Sequence, residues 1–127
     1  MNLFDECKEA LGEDFNIVEG HDYDTAILIL NQYPIINGNI SWSDVDYIEY
    51  ENIKEFVSKQ SVENNYFFVL VDDASIPVFR TSTRALCENF YDITALSPKI
   101  FIFNDEVILQ PLFPTDKFRA FIKGECK

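Results

Sequence analysis

The run Tyr66-Phe67-Phe68-Val69-Leu70-Val71-Asp72-Asp73-Ala74-Ser75-Ile76-Pro77-Val78-Phe79, continued by Arg80-Thr81-Ser82-Thr83-Arg84-Ala85-Leu86, decides the fold. Its first six residues are apolar or aromatic without a charge, the composition of a strand buried on both faces. Asp72 to Ser75 offer small side chains and carboxylate acceptors to a turning backbone. Pro77 fixes its own φ and turns Ile76 away from helix, so Ile76 to Phe79 begins a second extended piece. Thr81 or Ser82 then caps a helix that carries Ala85, Leu86 and Phe90 on one face. Strand, acidic turn, strand and helix form the unit around which the other segments pack.

Outward from this unit, periodicity predicts the remaining elements. Leu3, Cys7, Ala10 and Leu11 fall at helical spacing, with Asn2 as cap and Gly12 at the exit. Phe15 to Val18 reads as a short strand ended by Gly20. Asp22 to Tyr33 reads as a helix, because Tyr23, Ala26, Ile27 and Leu30 share a face, Asp22 or Asp24 can cap, and Pro34 stops it. Asn37-Gly38 is a turn between Ile35-Ile36 and Ile40-Ser41-Trp42. Ile53, Phe56, Val57 and Gln60 predict a helix over 52–60. Asp92 to Leu96 is expected to return the chain to the sheet, and Ile100 to Phe103 to form a buried strand. Asn104-Asp105 makes a hairpin into Val107 to Leu109. Pro111 and Pro114 stop that strand. Thr115 or Asp116 caps a last helix with Phe118, Phe121 and Ile122 facing inward. The expected order is α-β-α-β-α-β-β-α-β-β-α. It amounts to an α+β fold, a single domain over 1–127, with a mixed, mostly antiparallel sheet of five or six strands and helices packed on it. Phe68, Leu70, Phe79, Leu86, Phe101 and Trp42 are the expected core.

At 127 residues, 47% apolar and 15% aromatic, the chain can build a substantial core and is not disordered. No apolar run approaches the ~20 residues of a membrane span. Met1 to Glu6 lacks the features of an export signal, so a cytoplasmic location is expected. Cys7, Cys87 and Cys126 are odd in number and show no metal-ligand spacing, which reads as reduced thiols. His21, the only histidine, is expected in a surface loop.

Charge is the strongest compositional signal. Residues 1–53 hold 12 acids and one base, Lys8, for a charge of −11, whereas residues 54–127 hold 10 acids and nine bases, so nearly all of the net −12 lies in the first 53. Such a field repels nucleic acid and anionic membranes and speeds encounter with a basic partner. Its densest portion is Asp44-Val45-Asp46-Tyr47-Ile48-Glu49-Tyr50-Glu51, with four acids, two tyrosines and no base. Tyrosine buries a large ring while keeping a polar end, and carboxylates complement the Arg and Lys with which a nuclease grips phosphates. Asp44, Asp46, Tyr47, Glu49, Tyr50 and Glu51 are therefore the candidate partner-binding residues. The alternative for this segment is a solvated loop or edge strand.

The catalytic inventory is thin. His21 has no nucleophile motif beside it, and the four glycines are isolated from one another. No catalytic residue, metal ligand or cofactor site is assigned. Asp72-Asp73 at a strand's end could hold Mg²⁺ for phosphoryl chemistry. No basic phosphate clamp accompanies the pair, and the competing role is to hold the turn.

Val71 to Val78, followed by Glu88-Asn89-Phe90-Tyr91-Asp92-Ile93-Thr94-Ala95-Leu96-Ser97, resembles small immunity proteins of bacterial contact-dependent growth inhibition systems. Tyr33-Pro34-Ile35 and Ile40-Ser41-Trp42 stand where that family's Pro and Trp landmarks are expected, and the likeness spans roughly residues 3–110. The resemblance implies a non-enzymatic protein that binds and neutralises a cognate toxin domain. The acidic segment would then cover a basic nuclease. The residues alone leave open an acidic adaptor or nucleic-acid mimic that inhibits another basic protein, and a small Mg²⁺-dependent enzyme using Asp72 and Asp73.

Overall fold

The computed structural model describes residues 3–36, 39–44, 46–59, 66–73, 75–97, 99–112 and 117–122. Helix α1 (Leu3–Leu11) leads through a 3-10 turn (Gly12–Asp14) into β1 (Asn16–Ile17). Next come α2 (His21–Leu30), a hairpin of β2 (Ile35–Ile36) and β3 (Asn39–Ile40), and β4 (Ile48–Tyr50). Helix α3 (Ile53–Lys59) precedes the central pair β5 (Tyr66–Val71) and β6 (Phe79–Ser82). Two short helices, α4 (Thr83–Glu88) and α5 (Phe90–Thr94), lead to β7 (Ile100–Phe103), β8 (Val107–Pro111) and β9 (Phe118–Ile122).

Seven strands form one antiparallel sheet in the order β1-β6-β5-β7-β8-β9-β4, and the β2–β3 hairpin stands apart from it. The fold is α+β as expected, with more strands than the expected five or six. Strand alternation sends successive side chains to opposite faces. Phe67, Val69, Val71, Ile100, Ile102, Leu109 and Phe118 meet α1, α3, α4 and α5 on one face. Phe68, Phe101, Phe103 and Ile108 meet Ala26 and Leu30 of α2 and Ile40 of the hairpin on the other. The unbroken apolar composition of β5 and β7 follows directly from this double cover.

Local chemistry explains the boundaries. Ser82 caps α4, its Oγ accepting the Ala85 N–H at 3.0 Å, and Asn52 Oδ1 accepts the Glu55 N–H at 2.9 Å at the start of α3. Gly12 leaves α1 with φ +58, a conformation a Cβ would strain. Helix α2 starts at His21, two residues earlier than a cap at Asp22 implies and four earlier than one at Asp24. Gly20, at φ +63, stands at its N-terminus and its carbonyl accepts the Asp24 N–H. Asp22 and Asp24 sit instead in the first turn, where they complement the helix dipole.

One expected element changes type, and one helix forms where only a return path to the sheet is expected. Residues 118–122 are a strand rather than a helix: β9 pairs along both β8 and β4, sending Phe118 and Ala120 to the helical face and Phe121 to the other. Phe118, Phe121 and Ile122 also fit a helical face, and over so short a run only sheet pairing separates the two readings. The expected caps Thr115 and Asp116 lie outside the described residues. Asp92 to Leu96 does not return to the sheet; most of it belongs to α5, which follows α4 across Asn89 and buries Ile93. The expected turn residues Asn37 and Gly38, the cap Asn2, Gln60, Pro114 and Cys126 also fall outside the described residues. Of the expected core, Phe68, Phe79, Leu86 and Phe101 are buried, while Leu70 and Trp42 are half-buried against the second face.

Candidate functional site

Among the described residues, strand β4 is a sheet edge, paired on one side only, with β9. Ile48 and Tyr50, opposite Ala120 and Phe118, turn to the helical face, and Glu49, opposite Arg119, turns to the other. Tyr50 is 2% exposed and stands between the rings of Phe56 at 5.3 Å and Phe118 at 5.6 Å. The expectation that Tyr50 shares a surface with Tyr47 is therefore corrected, because alternation turns it into the core. Tyr47 and Ile48 are about two-fifths exposed, and Asp46, Glu49 and Glu51 are exposed. Asp44 ends the 3-10 turn Trp42–Asp44, and its side chain lies outside the described set.

Side chains distant in sequence complete this edge. Glu49 lies directly opposite Arg119 in the ladder, with Arg119 Nε 3.8 Å from the Glu49 carboxylate. Lys117 Nζ stands 3.6 Å from Glu51. The Arg119 guanidinium lies over the Tyr47 ring at 5.0 Å. Trp42 meets Tyr47 edge-on at 5.2 Å and donates its indole N–H to Gln110 Oε1 at 2.6 Å. Trp, Tyr and Arg in one patch, on an edge whose hydrophobic side chains are partly exposed, have the composition of a protein-binding surface.

Two of the segment's carboxylates are thus matched by bases, Arg119 in β9 and Lys117 just before it. Ion pairs this exposed add little stability, but they blunt the local acidic field. The acids of residues 1–53 also fall into two groups along the fold. Asp5, Glu6, Glu9, Glu13, Asp14, Glu19, Asp22 and Asp24 lie on α1, the 3-10 turn and the path through β1 into α2. The other four flank β4. Six inter-strand steps of ~4.8 Å separate β1 from β4, about 29 Å in all. Sequence reasoning missed Lys117 and Arg119, whose contacts with the segment arise from strand pairing, and Gln110, which accepts from Trp42 beside it.

Asp73 holds its turn. One carboxylate oxygen accepts both the Ser75 N–H at 2.9 Å and the Ser75 hydroxyl at 2.7 Å, and these bonds, the hydroxyl's foremost, hold its pKa below the ordinary carboxylate range. Asp72 is exposed, and its N–H donates to the Lys99 carbonyl. Its side chain rims a pocket of about 260 Å³ floored by Leu30, Ile35, Leu70 and Phe101. Among the described residues no group of three or more His, Cys, Asp or Glu is gathered at one point. His21 is exposed at the first residue of α2.

Cys7 is fully buried under the helical layer. Burial, and then the negative charge of Asp92, push its thiol from 9.0 up to about 12. The neutral thiol is the form the fold favours, so its contribution to stability is complete below pH 9 and fades as pH rises toward 12. In a chain carrying Cys87→Ser and Cys126→Ser, an alkylating reagent at pH 8 should leave Cys7 unmodified until urea unfolds it. Rapid labelling of the folded chain would show that the thiol is open to solvent.

The antiparallel sheet with its aromatic and charged edge defines a class of protein built for recognition. Among protein families, residues 1–121 match the one described as CdiI immunity protein EcoliA0-like. The chain belongs to that family of bacterial contact-dependent growth inhibition immunity proteins, whose role implies binding to a cognate toxin. No curated protein matches the chain. Among the described residues no helix is long and apolar enough to cross a membrane.

Proposed function

We propose that this chain neutralises its cognate toxin, a basic nuclease domain, by covering the toxin's substrate-binding face with the β4 edge and the aromatic surface beside it. The observation that carries the reading is a sheet edge where Tyr47 is partly exposed among Asp46, Glu49 and Glu51, with Ile48 partly exposed on the opposite face of the strand. Carboxylates there engage toxin bases that would otherwise hold substrate phosphates, and the two apolar side chains exclude water around them. Asp44 adds a further acid at the start of the segment. Tyr50 serves from the interior, fixing β4 on the core. Residues 1–127 act as one immunity domain in the cytoplasm, performing no chemistry and contacting no nucleic acid. The acids around α1 and β1, remote from the interface, raise the encounter rate through the long-range field.

The test is titration of the purified toxin domain encoded beside this chain's gene. Reversing Asp46 and Glu49 to Lys should weaken binding by about 2 kcal/mol. The reversal should also leave association less sensitive to salt than in the wild type. If wild type and variant bind and protect cells equally, the assigned surface is wrong. A wild-type chain that does not bind would overturn the neutralisation reading itself.

A further inference from the structure

We propose that the toxin is selected by the pattern of charge across β4 and β9, with Arg119 as the specificity-determining residue, and not by net acidity. This rests on the immunity reading above and names what the toxin must present. Glu49 faces Arg119 and Glu51 is paired with Lys117, so acid and base stand side by side across the ladder at this edge. The strand Ile48–Tyr50 read alone is acidic; the surface it builds with β9 carries both signs.

Arg119 is the least satisfied member of this array. Its Nε is buried and has no hydrogen-bond partner among the described residues. Its separation from Glu49, 3.8 Å, is beyond hydrogen-bond reach. The guanidinium is oriented all the same: it lies over Tyr47, which is itself braced edge-on by Trp42. An oriented planar cation whose side chain is one-third exposed is suited to a carboxylate, which it can grip with two parallel bonds. The occupant is therefore a toxin surface of inverse pattern, with a carboxylate for Arg119 and a base beside it for Glu49. The loose pair within the chain is exchanged on docking for two closer ones. A basic protein lacking that carboxylate would be attracted but not held, which separates specificity from steering.

A charge swap tests this directly. The double variant Glu49→Arg, Arg119→Glu keeps the net charge at −12 and keeps an ion pair across the ladder, in reversed order. Thermal unfolding checks its fold, and titration with the purified cognate toxin domain reads its affinity. The expected result is a Kd raised roughly a hundredfold, caused mainly by faster dissociation. A swap that binds as tightly as the wild type would overturn the proposal while leaving the acidic-surface reading to the Asp46 and Glu49 reversal. If the swap does not fold, Arg119→Lys decides the matter. It keeps the charge and a possible pair with Glu49 but loses the planar fork, and binding should weaken about tenfold. Unchanged affinity in Arg119→Lys would mean that Arg119 serves only to hold its neighbours.

Discussion

Replacing Phe118 with Ala should destabilise the chain by ~3–5 kcal/mol and lower its thermal midpoint by roughly 10–20 °C. Phe118 is fully buried in β9 and is the hub of an aromatic cluster. Its ring lies 5.6 Å from Tyr50, 5.9 Å from Phe56 and 5.6 Å from Phe90, so it ties β4, α3 and the start of α5 to the sheet. Truncation opens a cavity that three separate elements would have to move to fill. The damage should extend to function, because Tyr50 stacks on this ring and Tyr50 is what seats the β4 edge. Tyr91→Ala provides the control: that ring is 75% exposed, and its loss should stay within ~0.5 kcal/mol. A midpoint for Phe118→Ala within two or three degrees of wild type would refute the cluster's role.

Asn104→Ala should cost ~2–4 kcal/mol, a large effect for a residue in a hairpin turn. Asn104 is fully buried. Its Oδ1 accepts the N–H groups of Glu106 at 2.8 Å and Val107 at 3.0 Å, and its Nδ2 donates to the Tyr66 carbonyl at 3.1 Å. The same residue's carbonyl accepts the Tyr33 hydroxyl at 2.6 Å. One amide therefore closes the β7–β8 turn and joins it to the start of β5, and Ala would leave buried backbone groups unsatisfied. Chemical denaturation of Asn104→Ala beside Asn104→Asp separates the two functions. The Asp variant keeps the acceptors for the turn and loses the donor to Tyr66. If both variants unfold at the wild-type midpoint, the turn does not depend on this side chain.

Much of the fold was legible because local signals and burial agreed. The charge-free run from Tyr66 to Val71 marked a strand covered on both faces, and Ser82 marked a helix start that its Oγ indeed caps. The Asn104 hairpin and the turn at Asp73 were visible as side-chain chemistry. The immunity assignment was likewise legible, from fold residues around Val71 to Val78 and Glu88 to Ser97 rather than from any reactive group.

The changed element and the additional helix have a common cause. Residues 118–122 and 92–96 are short apolar stretches whose spacing fits more than one period, and neighbours choose between them. For 118–122 the choice came from β8 and β4, which offer ladder partners on both sides. For 92–96 it came from α4, which α5 continues after a one-residue break.

The sequence by itself determined the central strands, the main helices, the concentration of acid in residues 1–53 and the family. Each of these follows from residues near one another in the chain or from composition. Only the tertiary structure decided how the candidate surface is made. Strand alternation takes Tyr50 out of it, and antiparallel pairing with β9 brings Arg119 and Lys117 into it. The fold also separates the acids of α1 and α2, helices packed on the two faces of the sheet, from those at the β4 edge. Charge that adds along a sequence need not add in space, because strand pairing sets its neighbours.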